Sequence, residues 1–188
     1  MDPIRRSETG DAEAFAEIFH RYKNLVYKTA YLMLGDADDA EDALQEVFVQ
    51  VYRSLSTYRP TKGAFTTWLH RMTVNHCLNR RRRRRAAVSL DGFSAGALGT
   101  SAPSLESQMT EEAALQQALA HLSDKLRAVV ILRYYWGLSY AEIVQILDIP
   151  LGTVKSRLHQ ALSILRRELA DSQKSSIPLT VSLPCEEG

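Results

Sequence analysis

The stretch from Leu138 to Leu169, LSYAEIVQILDIPLGTVKSRLHQALSILRREL, constrains the chain most, because two helix-forming segments follow each other across one proline-bearing turn. Ser139 with Glu142 three positions on has the form of a capping box, and Ile143, Ile146 and Leu147 give the first helix a narrow apolar side. Asp148-Ile149-Pro150 stops it. Proline lacks the N–H needed to continue a helix, but its fixed φ suits the opening of the next one. From Leu151 onward Val154, Leu158, Ala161, Leu162, Leu165 and Leu169 share one face, which must be buried. The opposite side presents Thr153, Ser156, His159, Gln160, Ser163 and Arg167, with Lys155 and Arg157 on its flanks. Amides and hydroxyls at the centre with cations at the rim fit a helix that reads bases in a DNA major groove and fixes its register on phosphates. The bland alternative is an αα-hairpin with a solvated polar face.

A net charge of +1 would argue against a nucleic-acid partner, but the average hides a segregation. Asp36 to Glu46 carries acids and no base, whereas Arg71 to Arg85 carries arginines and no acid, which implies two kinds of partner. The 188 residues leave room for one domain or two small ones. Asp11 to Leu34 reads as a helix with a wide apolar face (Phe15, Ile18, Phe19, Tyr22, Leu25, Val26, Leu32), ended by Gly35. Asp38 to Glu41 resembles a capping start for a second helix with core stripe Ala40, Leu44, Val47, Phe48, Val51 and Leu55. Its outer face lines up Asp39, Asp42 and Glu46 with Val49 and Gln50, and Gln45 at the edge. A capped, solvated helix would explain the acids; the apolar Val49 among them points to a protein-binding face.

After the loop Tyr58 to Gly63, a third helix starts near Ala64, with Phe65, Leu69, Met72, Thr73 and His76 toward the core. His76 reads as a hydrogen-bonded core histidine, not a metal ligand. Trp68, Arg71, Asn75, Asn79 and Arg82 form a flanking stripe of aromatic, amide and cation, and Arg80 to Arg85 is an unbroken arginine run that fits a phosphate-binding extension better than a solvated tail. Ala86 to Ser107, rich in Ser, Gly and Ala, is a linker. Helical pattern returns at Thr110, as a plausible N-cap, with Ala113, Leu115, Ala118, Leu119 and Leu122. Ser123 caps a helix over Asp124 to Trp136 whose core candidates are Leu126, Val129, Val130, Leu132 and Tyr134, and Gly137 ends it.

Much chemistry is missing from the chain. There is no Gly-rich phosphate loop, no His-Glu-x-x-His, no Gly-x-Ser-x-Gly and no Cys/His group with metal spacing, so neither an enzyme nor a cofactor is expected. Cys77 and Cys185 form no disulfide framework. No signal-peptide pattern and no run of about 18 apolar residues appears, so a soluble cytoplasmic protein without membrane insertion is expected.

Three motifs, DADDAEDALQEVFVQVY at Asp36 to Tyr52, FTTWLHRMTVNHCLNRRRR at Phe65 to Arg83 and LSYAEIVQILDIPLGTVKSRLHQAL at Leu138 to Leu162, give the chain a resemblance from Asp11 to Leu169. In that order across a linker, they resemble the sigma factors of bacterial RNA polymerase, in the extracytoplasmic-function branch (group 4 of the sigma-70 family). The resemblance implies an all-α fold of two small helical domains joined by a flexible linker, the C-terminal one a helix-turn-helix. Residues 1–87 would bind core polymerase and the minus-10 element, 88–107 would be linker and 108–170 would bind the minus-35 element; residues 171–188 have no counterpart in the family's compact core and, with two prolines and no helical period, are expected to be a disordered tail. It implies polymerase contacts, on the β′ clamp helices, by Asp39, Asp42, Gln45, Glu46 and Val49. Minus-10 contacts fall to Trp68, Arg71, Asn75, Asn79, Arg80 and Arg82, and minus-35 contacts to Thr153, Lys155, Ser156, Arg157, His159 and Gln160. The β flap and an anti-sigma factor are further partners it implies. Gln160 stands where the family often has Arg or Lys, so its base preference does not carry over. The alternative reading is an autonomous helix-turn-helix repressor or activator with the N-terminal helices as a dimerisation or sensor module, and a third is a basic RNA-binding helical protein; the acidic face discriminates, since a repressor has no use for Asp39, Asp42 and Glu46 beside Val49.

Overall fold

The computed structural model describes residues 3–8, 11–90 and 111–175, and among them every regular element is helical. A short helix α1 (Pro3–Glu8), which the sequence pattern did not signal, leads into α2 (Ala12–Leu34), and Arg6 ties the two by pairing with Asp11 at 2.8 Å and Glu17 at 3.2 Å. Asp11 caps α2, its carboxylate accepting from the N–H groups of Glu13 and Ala14 at 3.0 Å each. Gly35 closes it at φ 84°, in the left-handed region where a Cβ is disfavoured. Helix α3 (Ala37–Ser54) starts earlier than the Asp38 pattern implied, because Asp36 is the residue that caps it, accepting from Asp39 N–H at 2.9 Å. Two 3₁₀ turns fill the following loop, and the Tyr58 hydroxyl donates to Gly63 O at 3.1 Å. Helix α4 (Phe65–Leu90) is continuous through the arginine run and runs on to Leu90, into the stretch expected to be linker from Ala86 by composition and from residue 88 by the resemblance.

The second half comprises α5 (Glu111–Ala120), α6 (Asp124–Val130), α7 (Tyr140–Leu147) and α8 (Leu151–Ser175). One helix was expected over Asp124 to Trp136; instead the chain widens into a π turn at Ile131–Tyr135, Trp136 N–H donating to Ile131 O at 3.1 Å. The extra residue in this turn changes which side chains face inward. Tyr134, a core candidate by periodicity, is 58% exposed, while Trp136 packs against the core. Ser123 sits at the N-cap of α6 but makes no side-chain cap bond, its carbonyl alone accepting from Leu126 and Arg127. The Ser139–Glu142 capping box forms as expected. Pro150 stands at the N-cap of α8, its carbonyl accepting from Thr153 at 2.9 Å and Val154 at 3.1 Å, and α8 runs to Ser175, past the boundary expected at residue 170. The expected N-cap Thr110 lies outside the described residues.

Two apolar clusters hold these helices. One belongs to the first half: Ile18, Val26, Val47, Phe48, Val51, Phe65, Leu69 and Met72. The other joins the halves, with Ala30, Leu32, Met33, Val74 and Cys77 packed together with Leu119, Leu126, Val129, Leu132, Ile143, Ile146, Val154 and Leu158. In this closed arrangement the two halves share a core. Polar contacts reinforce the joint. Helix α2 has no basic residue in its last turn, and its C-terminal carbonyls take donors from elsewhere: Gln116 on Tyr31 O at 2.8 Å, beside the Gly35 N–H that bonds the same oxygen, and Arg81 at 2.8 Å and Arg127 at 2.9 Å on Met33 O. Arg127 is 4% exposed, and burial, with the charge of Arg81 nearby, lowers its pKa to about 10.

Candidate DNA and protein interfaces

The polar side of α8 faces solvent as its periodicity requires. Val154, Leu158 and Ala161 anchor the helix in the core; Lys155, Ser156, His159 and Gln160 are exposed, and Thr153 and Arg157 half-buried. Ser156 Oγ donates to Thr153 O at 3.1 Å, which leaves the oxygen's lone pairs to accept from a base edge. Among the described residues none of Lys155, Arg157 and His159 is in an ion pair, so their charge and donors stay available. Asp148 at the turn adopts φ 53°, a left-handed conformation that a short polar side chain tolerates.

The stripe on α4 opens onto a cleft of about 610 Å³ against α3, lined by Trp68, Arg71, Asn75, Asn79, Arg80 and Arg83 together with Glu46, Gln50, Met72 and His76. Five of the six residues expected at the minus-10 element thus meet in one concavity, Arg82 lying outside it, and an acidic residue expected to face polymerase shares its wall. Trp68 is half-buried beside Phe65 and Tyr58, with ring centroids 5.5 and 5.6 Å away, so it is both the rim of the core and part of the cleft. His76 is not the hydrogen-bonded core residue expected. It is half-buried, its Nε2 lies 3.7 Å from Glu46 Oε2 without a hydrogen bond, and burial holds its pKa below the usual histidine range.

On α3 the acidic face is exposed at Asp42, Gln45 and Glu46, and Val49 is 50% exposed with Tyr52 at 58% one turn on. Periodicity did not show that this face and the arginine run pair with each other. Arg80 reaches Asp39 at 2.5 Å, Asp42 at 3.1 Å and Glu46 at 3.7 Å, and Arg84 reaches Asp39 at 3.0 Å. Arg80's hydrogen bonds to Asp39, foremost, and to Asp42 raise its pKa.

Several residues that matter at the joint escaped sequence reasoning. His70 packs edge-on to Trp136 at 5.1 Å between centroids, Arg71 lies 3.7 Å from Asp148, and Asp124 sits between Arg81 and Arg85 at 2.6 Å each. The Arg81 contact to Asp124 Oδ1 is an ion pair without hydrogen-bond alignment. The i, i+4 spacing of Arg81 and Arg85 was a signal that they share a face; nothing in the sequence told which acid they would meet. Among the described residues no three His, Cys, Asp or Glu side chains gather in a way that could hold a metal ion, and no helix is long and apolar enough to cross a membrane.

A two-part helical protein with a helix-turn-helix whose second helix shows a polar face to solvent, a cleft of amides and arginines and an acidic face along its wall has the make-up of the class of DNA-reading proteins that also dock on a protein. Residues 18–87 match the family Sigma-70 region 2 and residues 112–165 match Sigma-70, region 4. The ECF RNA polymerase sigma factor SigW of Bacillus subtilis (strain 168) is 36% identical over 179 residues, covering 89% of this chain and 95% of that protein. The ECF sigma factor SigE of Mycolicibacterium smegmatis is 38% identical over 169 residues, covering 86% of this chain and 65% of that one. In fold, the chain is similar to the sigma factor RpoE of Bartonella quintana, solved in complex with the anti-sigma factor NepR, at a TM-score of 0.68 and 22% identity, over 85% of this chain and 98% of that one. This chain belongs to the extracytoplasmic-function branch of the sigma-70 family of RNA polymerase sigma factors.

Proposed function

We propose that this sigma factor works without catalysis of its own, in the cytoplasm, by dividing promoter initiation among three surfaces. Asp39, Asp42, Gln45, Glu46 and Val49 on α3 dock core RNA polymerase. Trp68, Arg71, Asn75, Asn79, Arg80 and Arg82 on α4 engage the minus-10 element. Thr153, Lys155, Ser156, Arg157, His159 and Gln160 on α8 read the minus-35 element. The observation that carries this assignment is the cleft beside α4. An indole, two amides and three arginines converge in a space of about 610 Å³, and that combination suits an unstacked base, whose face can stack and whose edge can hydrogen-bond.

The closed joint bears on how the surfaces are used. Two promoter elements about two helical turns apart are separated by about 70 Å, at roughly 34 Å per turn, so halves that share a core have to part before both elements are held. Co-purification with core polymerase followed by run-off transcription tests the assignment. The parent chain is expected to retain polymerase and to direct a discrete transcript. Asp42→Lys with Glu46→Lys is expected to lose polymerase; because it sets two cations beside Arg80, which keeps only Asp39, a thermal melt is run alongside to show that the fold survives. Undiminished polymerase retention by that variant would show that α3 is not the docking face.

A further inference from the structure

The arginine run is divided by helical geometry into groups with different work. Arg80 and Arg81 are the more tightly held: Arg80, which also lines the cleft, is bound by three carboxylates of α3, and Arg81 is 21% exposed, pairs with Asp124 and caps the end of α2 through Met33 O. Arg84 and Arg85 differ. Each meets one carboxylate among the described residues, Asp39 at 3.0 Å and Asp124 at 2.6 Å, and each side chain is more than half exposed, at 61% and 54%. Arg82 and Arg83 beside them are exposed and make no ion pair among the described residues. In each of the Arg84 and Arg85 pairs the guanidinium is open to solvent while its carboxylate is not, at 21% for Asp39 and 9% for Asp124, and a five-donor guanidinium has capacity beyond the one hydrogen bond each carboxylate takes. A guanidinium presents the same fork of donors to a carboxylate as to a phosphate.

We propose that Arg84 and Arg85 are phosphate ligands held in reserve, the carboxylates of Asp39 and Asp124 standing where phosphates of a nucleic-acid backbone will sit. Once those acids are withdrawn, Arg84 and Arg85 join the exposed Arg82 and Arg83 as unpaired cations spread around the end of α4. The two restraints are withdrawn by different events. Asp39 belongs to the acidic face assigned above to polymerase, and a cationic protein surface docking there takes Asp39 away from Arg84. Asp124 belongs to the second half, and parting the joint takes it away from Arg85. Docking and domain separation are thereby linked to backbone binding, and by reciprocity DNA on the arginines favours both. The inference rests on the DNA and polymerase assignments made above.

The test uses the full chain without polymerase and a fluorescein-labelled single-stranded oligonucleotide, with anisotropy titrations over a range of salt. Each phosphate neutralised on a single strand adds about 0.7 to the slope of log affinity against log salt, which amounts to about fivefold at 0.1 M. Asp39→Asn removes Arg84's carboxylate and leaves Arg80 on Asp42, so affinity is expected to rise about fivefold with a slope steeper by about 0.7. Glu41→Gln changes the net charge equally on the same helix but makes no ion pair among the described residues, and is expected to give much less. Adding Arg84→Ala is expected to remove the whole gain from Asp39→Asn while lowering the parent chain much less. The same cycle with Asp124→Asn and Arg85→Ala gives a second reading if Asp39→Asn proves unstable in a thermal melt. Equal gains from Asp39→Asn and Glu41→Gln, or equal losses from Arg84→Ala in both backgrounds, would overturn the reserve while leaving the DNA reading of α4 intact. Failure of every variant to bind the oligonucleotide at low salt would overturn both.

Discussion

His70 offers a quantitative test of the closed joint. It is 2% exposed, its ring lies edge-on to Trp136 from the other half of the chain, and its Nδ1 has no hydrogen-bond partner among the described residues. Burial pushes its pKa down from 6.5 to about 4, with Glu142 on α7 opposing only in part. The closed state therefore holds the neutral imidazole. Between pH 6.5 and about 4 the unfolded chain binds more protons at this position than the native one, so stability is complete above the upper value and is lost as pH falls toward the lower. Across the whole interval the loss is about 3 kcal/mol, at roughly 1.36 kcal/mol per pH unit, and at pH 5.5 it is about 1.4 kcal/mol. Because Trp136 supplies part of the burial, the protonated ring can be relieved by parting the joint, and the loss should appear there first. Urea unfolding of the parent chain and of His70→Phe, each at pH 7.5 and pH 5.5, isolates the term: carboxylates and His76 titrate in both and cancel in the difference of differences. The parent is expected to lose about 1.4 kcal/mol more than His70→Phe on acidification. Equal losses would mean that His70 is wet in solution and that the joint is not closed as described.

Ser156→Ala or Gln160→Ala is expected to change preference at individual minus-35 base pairs by about 1 to 3 kcal/mol, whereas Lys155→Ala weakens every sequence alike and lowers the salt slope; single-base promoter variants at fixed salt distinguish these, and a uniform loss from Gln160→Ala would count against the assigned face. Cys77, fully buried in the core shared by both halves, has its thiol pushed up to about 12 by burial. In a Cys185→Ser chain at pH 8 its thiolate fraction is then about one in 10⁴, so a thiol reagent should modify it only as urea opens the protein, and rapid modification without denaturant would again contradict a closed joint.

The local elements were legible wherever a periodic apolar stripe met an unambiguous cap. The Ser139–Glu142 box, the Asp148–Pro150 break and the buried Val154, Leu158 and Ala161 are all decided within a few residues, by hydrogen bonds and sterics that do not depend on the rest of the fold. The polar face of α8 followed from the same wheel, since a helix that buries one side must show the other. Where local rules were less decisive the pattern misjudged the ends: Asp36 capped α3 in place of the Asp38 motif, and the π turn at Ile131–Tyr135 turned Tyr134 out and Trp136 in.

Partners across long sequence separations lay beyond any local rule. The segregated charge of the acidic helix and the arginine run was plain in the sequence and was read as two surfaces for two partners, yet Arg80 and Arg84 spend that charge on Asp39 and Asp42, some forty residues away. Asp124 gave no sign that it would be buried between two arginines. Nor did Val74 and Cys77 signal that their face of α4 would complete the core of a second domain. Periodicity tells which side of a helix must be covered, because burial of apolar area is a property of that helix; what covers it depends on the three-dimensional juxtaposition of all the helices at once. The sequence by itself therefore determined most of the helices, the locally unambiguous caps and the chemistry of each face, and only the tertiary structure decided which faces meet each other and which stay exposed.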